Sequence, residues 1–251
     1  MKRFLLGVVG LAVIGIAAPA VAADLPAQTY SKAAPVMIPA AYDWSGVYVG
    51  GNGGWGTANR CFDLITISGS FTAADGCHKT SGAVAGGQIG FRWQTGSWVY
   101  GLEFQGDWAN LHGSSVSISN NANINRSRID AFGLFTGQIG YAFNTALLYL
   151  KGGAAVVADR NDILSGGVVV ANAAGDNRWG GTVGGGVEFS FAPNWSAGVE
   201  YDHLFIANSN TTFTAVNGSS FVTSFDRVRG AADMVTVRVN YRWGGPVVAK
   251  Y

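Results

Sequence analysis

The chain has 251 residues, a formal net charge of +1, 37 glycines, eight tryptophans and two cysteines. Near-neutral charge provides no field to hold nucleic acid. Charged residues are only 12% of the chain, about half the usual share of a soluble domain. No internal apolar run reaches 18 residues, which excludes a bundle of membrane-spanning helices.

Residues 1–23 read as a secretory signal peptide. Lys2 and Arg3 start it, Phe4 to Ile16 is an apolar stretch too short to span a bilayer, and Ala20-Val21-Ala22-Ala23 offers cleavage after Ala22 or Ala23. Residues 24–43, with Pro26, Pro35 and Pro39, have no hydrophobic period and read as a flexible periplasmic lead. Tyr42 and Trp44 are placed to anchor its end at the membrane surface.

From residue 44 to 243 the dominant signal is period two. It is clearest in Val235-Thr-Val-Arg-Val-Asn-Tyr-Arg-Trp243, where apolar and polar residues alternate strictly, as successive side chains of a strand do. Similar endings occur at Gln88–Trp93, Gln138–Phe143 and Gly186–Phe191, with starts separated by 50, 48 and 52 positions. Eight strands follow in order: Gly46–Gly56, Ala83–Trp93, Trp98–Trp108, Arg128–Phe143, Ala146–Val156, Trp179–Phe191, Trp195–Phe205 and one beginning after Ala232. Short turns at Gln94–Ser97, Asn144-Thr145 and Ala192–Asn194 alternate with long polar connections at about 57–81, 109–126, 158–178 and 206–232. This predicts an all-β fold, an eight-stranded antiparallel up-and-down transmembrane β-barrel with short periplasmic turns and long extracellular loops. Residues 244–251 form a short tail.

The two faces of these strands set the orientation. One carries Ile89, Phe91, Leu102, Phe104, Ile129, Phe135, Ile139, Leu148, Leu150 and the valines of the last strand. The other carries Arg92, Glu103, Asp107, Arg128, Asp130, Lys151, Glu188, Glu200, Asp202, Arg238 and Arg242. Arg or Lys at the lipid midplane costs about 2–4 kcal/mol, so the apolar face is assigned to lipid and the charged face to the lumen. Trp93, Trp98, Tyr141, Trp195, Tyr241 and Trp243 fall beside the short turns, as interfacial aromatics do. Trp55, Trp108, Trp179, Tyr201 and Phe205 lie near the long connections. Six inward acids and five bases must pair, because an unpaired buried charge costs several kcal/mol. A lumen polar network of Arg92, Glu103, Lys151, Glu188, Glu200 and Arg238 is expected, acting as a plug, with an ion path as the functional alternative.

These residues resemble a known family. Asp24-Leu25-Pro26, Trp44-Ser-Gly-Val-Tyr-Val-Gly50, Ile129-Asp-Ala-Phe-Gly133, Val183–Glu188, Glu200-Tyr201 and Asn240-Tyr-Arg-Trp243 look like the small alphaproteobacterial outer-membrane proteins of the RopB and outer-membrane immunogenic protein type. The resemblance implies an outer-membrane location, an OmpA-type barrel, a part in envelope integrity and surface antigenicity, and in some members haem binding. It also implies outer-membrane lipids and, during biogenesis, the barrel assembly machinery as partners. The chain departs at Thr136-Gly137-Gln138, where the family pattern has Arg-Gly-Arg, and it continues past the terminal aromatic Trp243 to Tyr251.

Cys61 and Cys77 lie in one exported connection, where an oxidising compartment favours a disulfide worth about 3 kcal/mol by loop entropy. Two further chemistries have candidate residues. His112 with Ser114, Ser115 and Asp107 has the residue types of a hydrolase but no oxyanion donor. His78, His112 and His203 are candidate contacts to haem iron at the outer surface. The reading is a structural, surface-exposed barrel, most simply a monomer, without catalysis or a cofactor; the alternative is a narrow pore or a haem or host-ligand receptor.

Overall fold

A computed structural model describes residues 42–66, 68–118, 120–173, 176–216 and 224–243. The signal peptide, most of the periplasmic lead and the tail lie outside the described residues. The strands are β1 Gly46–Ile65, β2 Phe71–Thr95, β3 Trp98–Val116, β4 Asn123–Phe143, β5 Ala146–Ser165, β6 Val168–Asn172, β7 Asp176–Ala192, β8 Trp195–Ala215 and β9 Ser224–Trp243. Every pairing is antiparallel. The eight long strands form one ring, β1-β2-β3-β4-β5-β7-β8-β9, closed by β1 against β9, so no long strand presents a free edge.

The turns at Gly96-Ser97, Asn144-Thr145 and Pro193-Asn194 stand where expected. Gly96 and Asn144 adopt positive φ, which glycine and asparagine tolerate in tight hairpins. The other ends differ from expectation. The long strands run for 17 to 25 residues, whereas about 9–11 tilted residues cross a bilayer. The polar segments assigned to loops are therefore largely strand: β1 and β2 stay paired from Gly46↔Arg92 up to Ile65↔Phe71. Segment 158–178 holds a hairpin, in which β5 turns at Gly166-Gly167 into β6. The barrel wall continues well beyond the lipid-facing band.

In the lower half the inside–outside assignment of the sequence is reproduced. Leu102, Phe104, Phe135, Leu150, Val187, Val199 and Val237 are exposed on the outer wall, whereas Thr236, Arg238, Asn240 and Arg242 are buried. In the extension the segregation relaxes: the inner face carries apolar residues beside buried polar ones such as Arg60, Asn125, Ser127 and Asp159. Buried apolar residues, including Ala58, Leu111, Ile129, Val157, Leu204, Ala232 and Met234, fill the inside. Above them lies a second inner group containing Phe62, Ile163, Phe213 and Val228.

Ile129, Arg128 and Asp130 are reversed relative to expectation. The register of β4 against β5 shifts between Ile129 and Ala131. This bulge inserts one residue and changes the alternation. Ile129 is fully buried, while the side chains of Arg128 and Asp130 are 51% and 35% exposed on the outer wall.

Candidate functional site

The lumen is filled in layers. At the short-turn end Trp44 is not a surface anchor but a buried stopper, packed with Val99, Ala142, Leu147 and Tyr149 and flanked by Tyr42. Its backbone N–H donates to Gln94 Oε1 at 2.8 Å. The Arg242 guanidinium lies over the Tyr42 ring and donates to the Ser45 carbonyl at 2.7 Å.

Above this stopper sits the charged layer. Arg238 from β9 donates to Glu103 of β3 and Glu200 of β8, spanning the lumen. Lys151 from β5 lies 2.7 Å from Glu200, 3.4 Å from Glu103 and 3.3 Å from Asp202, and donates to Gln105 at 3.1 Å. Tyr48 donates to Glu103 at 2.7 Å and Tyr149 to Glu200 at 2.5 Å. Arg92 pairs with Glu188 at 2.9 Å and donates to Gln138 at 3.1 Å, its guanidinium 4.4 Å from the Tyr48 ring centre. Glu188 also accepts from Ser196 and from Asn240, the latter at 2.8 Å.

The structure thus places all six residues of the expected network inside, in two linked groups. Lys151 and Glu188 do not touch: one group is centred on Arg238 and Lys151, the other on Arg92 and Glu188, with tyrosines between them. Period-two alternation turns Tyr48 and Tyr149 inward, as found, but does not mark them as members of the network. Tyr48 is paired with Gly90 and Tyr149 with Gly186, and a Cβ at either glycine would overlap the facing tyrosine ring. The signal was available, since both tyrosines alternate onto the inner face opposite a strand glycine.

The polar layer of the extension is separate. Arg60 and Arg178 each approach Asp159 at 3.2 Å. Burial lowers the Arg60 pKa to about 10, against the opposing pull of Asp159. Cys61 and Cys77 form a disulfide between directly paired residues of β1 and β2, so they bridge two strands of the wall rather than two ends of a loop. His78 stacks on Phe62 and its Nδ1 lies 3.1 Å from Ser115 Oγ. Burial, with Arg60 adding to it, depresses its pKa.

The candidate chemistry of the histidines is not assembled. His112 lies on the outer wall while Asp107 points into the lumen, so the hydrolase arrangement has its members on opposite faces. His78 lies at the top of β2 with its ring among inner-face groups, His112 is on β3, and His203 is on β8 bonded to Asp233 at 2.7 Å. The three do not converge. Among the described residues no group of three or more His, Cys, Asp or Glu converges to hold a metal ion.

The expected aromatics beside the short turns stand on the outer wall and touch one another. Trp98 packs edge-on against Tyr141, Trp195 against Tyr241, and Tyr241 against Trp243, while Trp93 stacks on Tyr100.

A closed antiparallel ring, an apolar outer band and an ionised lumen together define the architecture, and comparison with known proteins agrees. The family model for the outer membrane protein β-barrel domain matches residues 10–242. The chain belongs to that family. This outer-membrane β-barrel is 29% identical over 184 residues to an uncharacterized protein of Coxiella burnetii, covering 66% of this chain and 71% of that one. It is 30% identical over 169 residues to a 22 kDa outer membrane protein of Rhizobium leguminosarum bv. viciae, covering 65% of each, just under two thirds. Among solved structures the barrel is similar to the outer membrane protease OmpT of Escherichia coli, with a TM-score of 0.52 and 9% identity over 79% of this chain and 97% of that one. That likeness concerns the fold. With the relatives, the family places the chain in the outer membrane.

Proposed function

We propose that this chain is a non-conducting structural barrel of the outer membrane that contributes to envelope integrity and presents its long end at the cell surface. The observation that carries the reading is the filled lumen. Glu103, Lys151, Glu188, Glu200 and Arg238 bond wall to wall with almost no exposed surface, and the fully buried Leu111, Ile129 and Leu204 lie in an apolar layer above them. A water-filled path would need both layers to open. Breaking the charged layer costs several kcal/mol per stranded charge, and the apolar layer offers a hydrated ion nothing to bind. An eight-stranded ring has a lumen that side chains can fill in this way.

The orientation follows from the outer-membrane barrel pattern, in which short turns face the periplasm. The outward, polar-walled extension then supplies the surface that other molecules meet. Planar-bilayer recording of the purified protein tests the proposal. A silent bilayer is expected, and stable unitary openings would overturn it.

A further inference from the structure

Outside the lumen, one cluster on the outer wall has no part in the plug. It lies in the extension, where β4 and β5 carry outward arginines in two adjacent rows, flanked by β3. His112, Arg128 and Arg160 form one row across β3, β4 and β5, and Ser114, Arg126 and Asp162 the next. Together they line a depression of about 700 Å³. Trp108, 78% exposed, stands lower on β3. His112 stands four positions further along the strand, roughly 13 Å, so the depression sits just outside the aromatics near the long connections, the upper belt.

Two features mark this as more than a solvated face. Arg128 and Arg160 are directly paired across the strands, and like charges directly opposite are destabilising. Arg128 faces outward only because the bulge at Ile129/Ala131 re-aims this stretch of β4. Bulges that turn a side chain out of its expected face recur at functional positions. Asp130, also turned outward by the bulge, meets the Nε of Arg128 at 3.7 Å and of Arg160 at 3.2 Å. Among the described residues neither guanidinium has another ion pair, so the terminal nitrogens of both remain available. Two adjacent guanidinium forks, with Arg126 in the next row, match the oxygens of a phosphate monoester.

We infer that the Arg126–Arg128–Arg160 cluster binds the phosphate of a glycolipid headgroup in the leaflet surrounding the upper belt. Basic pockets at headgroup level bind anionic lipids by this chemistry, and the exposed Trp108 below would lie against the lipid body. The inference rests on the outward orientation proposed above for the long end. A peptide tag inserted at the Gly166-Gly167 turn, probed on intact cells, tests that orientation separately.

The test uses the full mature chain in detergent micelles with three probes: bisphosphorylated lipid A, the same glycolipid with both phosphates removed, and inorganic phosphate. The phosphorylated form should bind at least about tenfold more tightly than the dephosphorylated one, a difference of about 1.4 kcal/mol. In Arg128→Gln/Arg160→Gln that preference should fall to about twofold or less, with the fold checked by tryptophan fluorescence. Asp130→Asn, which removes the competing carboxylate and keeps the arginines, should tighten binding of the phosphorylated form. Equal affinity for the two glycolipids, or an unchanged preference in the double variant, would overturn the inference. Complete displacement of the glycolipid by inorganic phosphate would overturn the lipid assignment and leave a free-anion site. If the tag is accessible from outside and bilayers are silent while the preference is absent, this inference alone falls.

Discussion

Arg238→Met removes the side chain on which the charged layer converges. Arg238 bonds both Glu103 and Glu200 and donates to Tyr149 Oη at 3.2 Å. After the substitution each glutamate keeps Lys151, at 3.4 Å and 2.7 Å, and each keeps its tyrosine. Two charge-assisted pairings are lost, one to each glutamate, each worth about 1.5–3 kcal/mol. Removing one member of a buried pair costs about 3–5 kcal/mol, so the two routes agree on a loss of about 3–5 kcal/mol. Urea titration of the barrel in detergent, followed by tryptophan fluorescence, reads this as a lower midpoint at unchanged slope. Glu103→Gln in the same background removes the carboxylate left short of partners, so the double variant should be more stable than the sum of single effects predicts by at least about 1 kcal/mol. A single-variant loss below about 1 kcal/mol, or strict additivity, would refute the argument that this layer bears on stability.

Gly90→Ala places a methyl group where the Tyr48 ring lies and should cost about 1–3 kcal/mol by overpacking, measured in the same titration. Cys61→Ser/Cys77→Ser should weaken the β1–β2 extension by about 3 kcal/mol, seen as faster proteolysis above the belt with the membrane band still protected. The extension should also depend on pH. His78 has its folded pKa held below the unfolded value, so its contribution is fully present above the ordinary histidine range and is lost as pH falls through the depressed folded value. Protection factors at β1 and β2 above the belt, taken against the intrinsic exchange rate at each pH, should therefore fall on acidification, and His78→Gln should flatten that slope. Val237→Arg puts a charge on the lipid-facing wall and should cost about 2–4 kcal/mol if it lies at the midplane.

The membrane half was legible in the sequence because lipid on one side and a closed lumen on the other impose one rule on every strand. The valines of β9 obey it, and so do Leu102 against Glu103 and Leu150 against Lys151. The extension was not legible by the same rule. Once the outer wall meets water, neither face must be apolar: in Ile124-Asn-Arg-Ser-Arg-Ile129 the outward residues are Ile124, Arg126 and Arg128 and the inward ones Asn125, Ser127 and Ile129, so the segment resembles loop when judged for a greasy outer face. β6 carried a signal that went unused, the pair Gly166-Gly167 between Ile163-Leu164 and Val168-Val169-Val170, which is hairpin chemistry. The reversal of Ile129, Arg128 and Asp130 had no comparable signal, because one inserted residue changes phase without changing composition. In the lumen network the sign and face of each residue could be read, but the partition into two groups could not: partners come from strands far apart in sequence, and the ring alone brings them together.

The most direct measurement of the whole arrangement is depth and exposure by site-directed spin labels in vesicles. Labels at Leu102, Val187 and Val237 should collide with a fat-soluble quencher, whereas labels at Thr136 and Thr236, both buried in the lumen, should be shielded from it. Equal accessibility at the two sets, or the reverse order, would contradict a barrel whose apolar wall faces lipid and whose ionised groups close its axis.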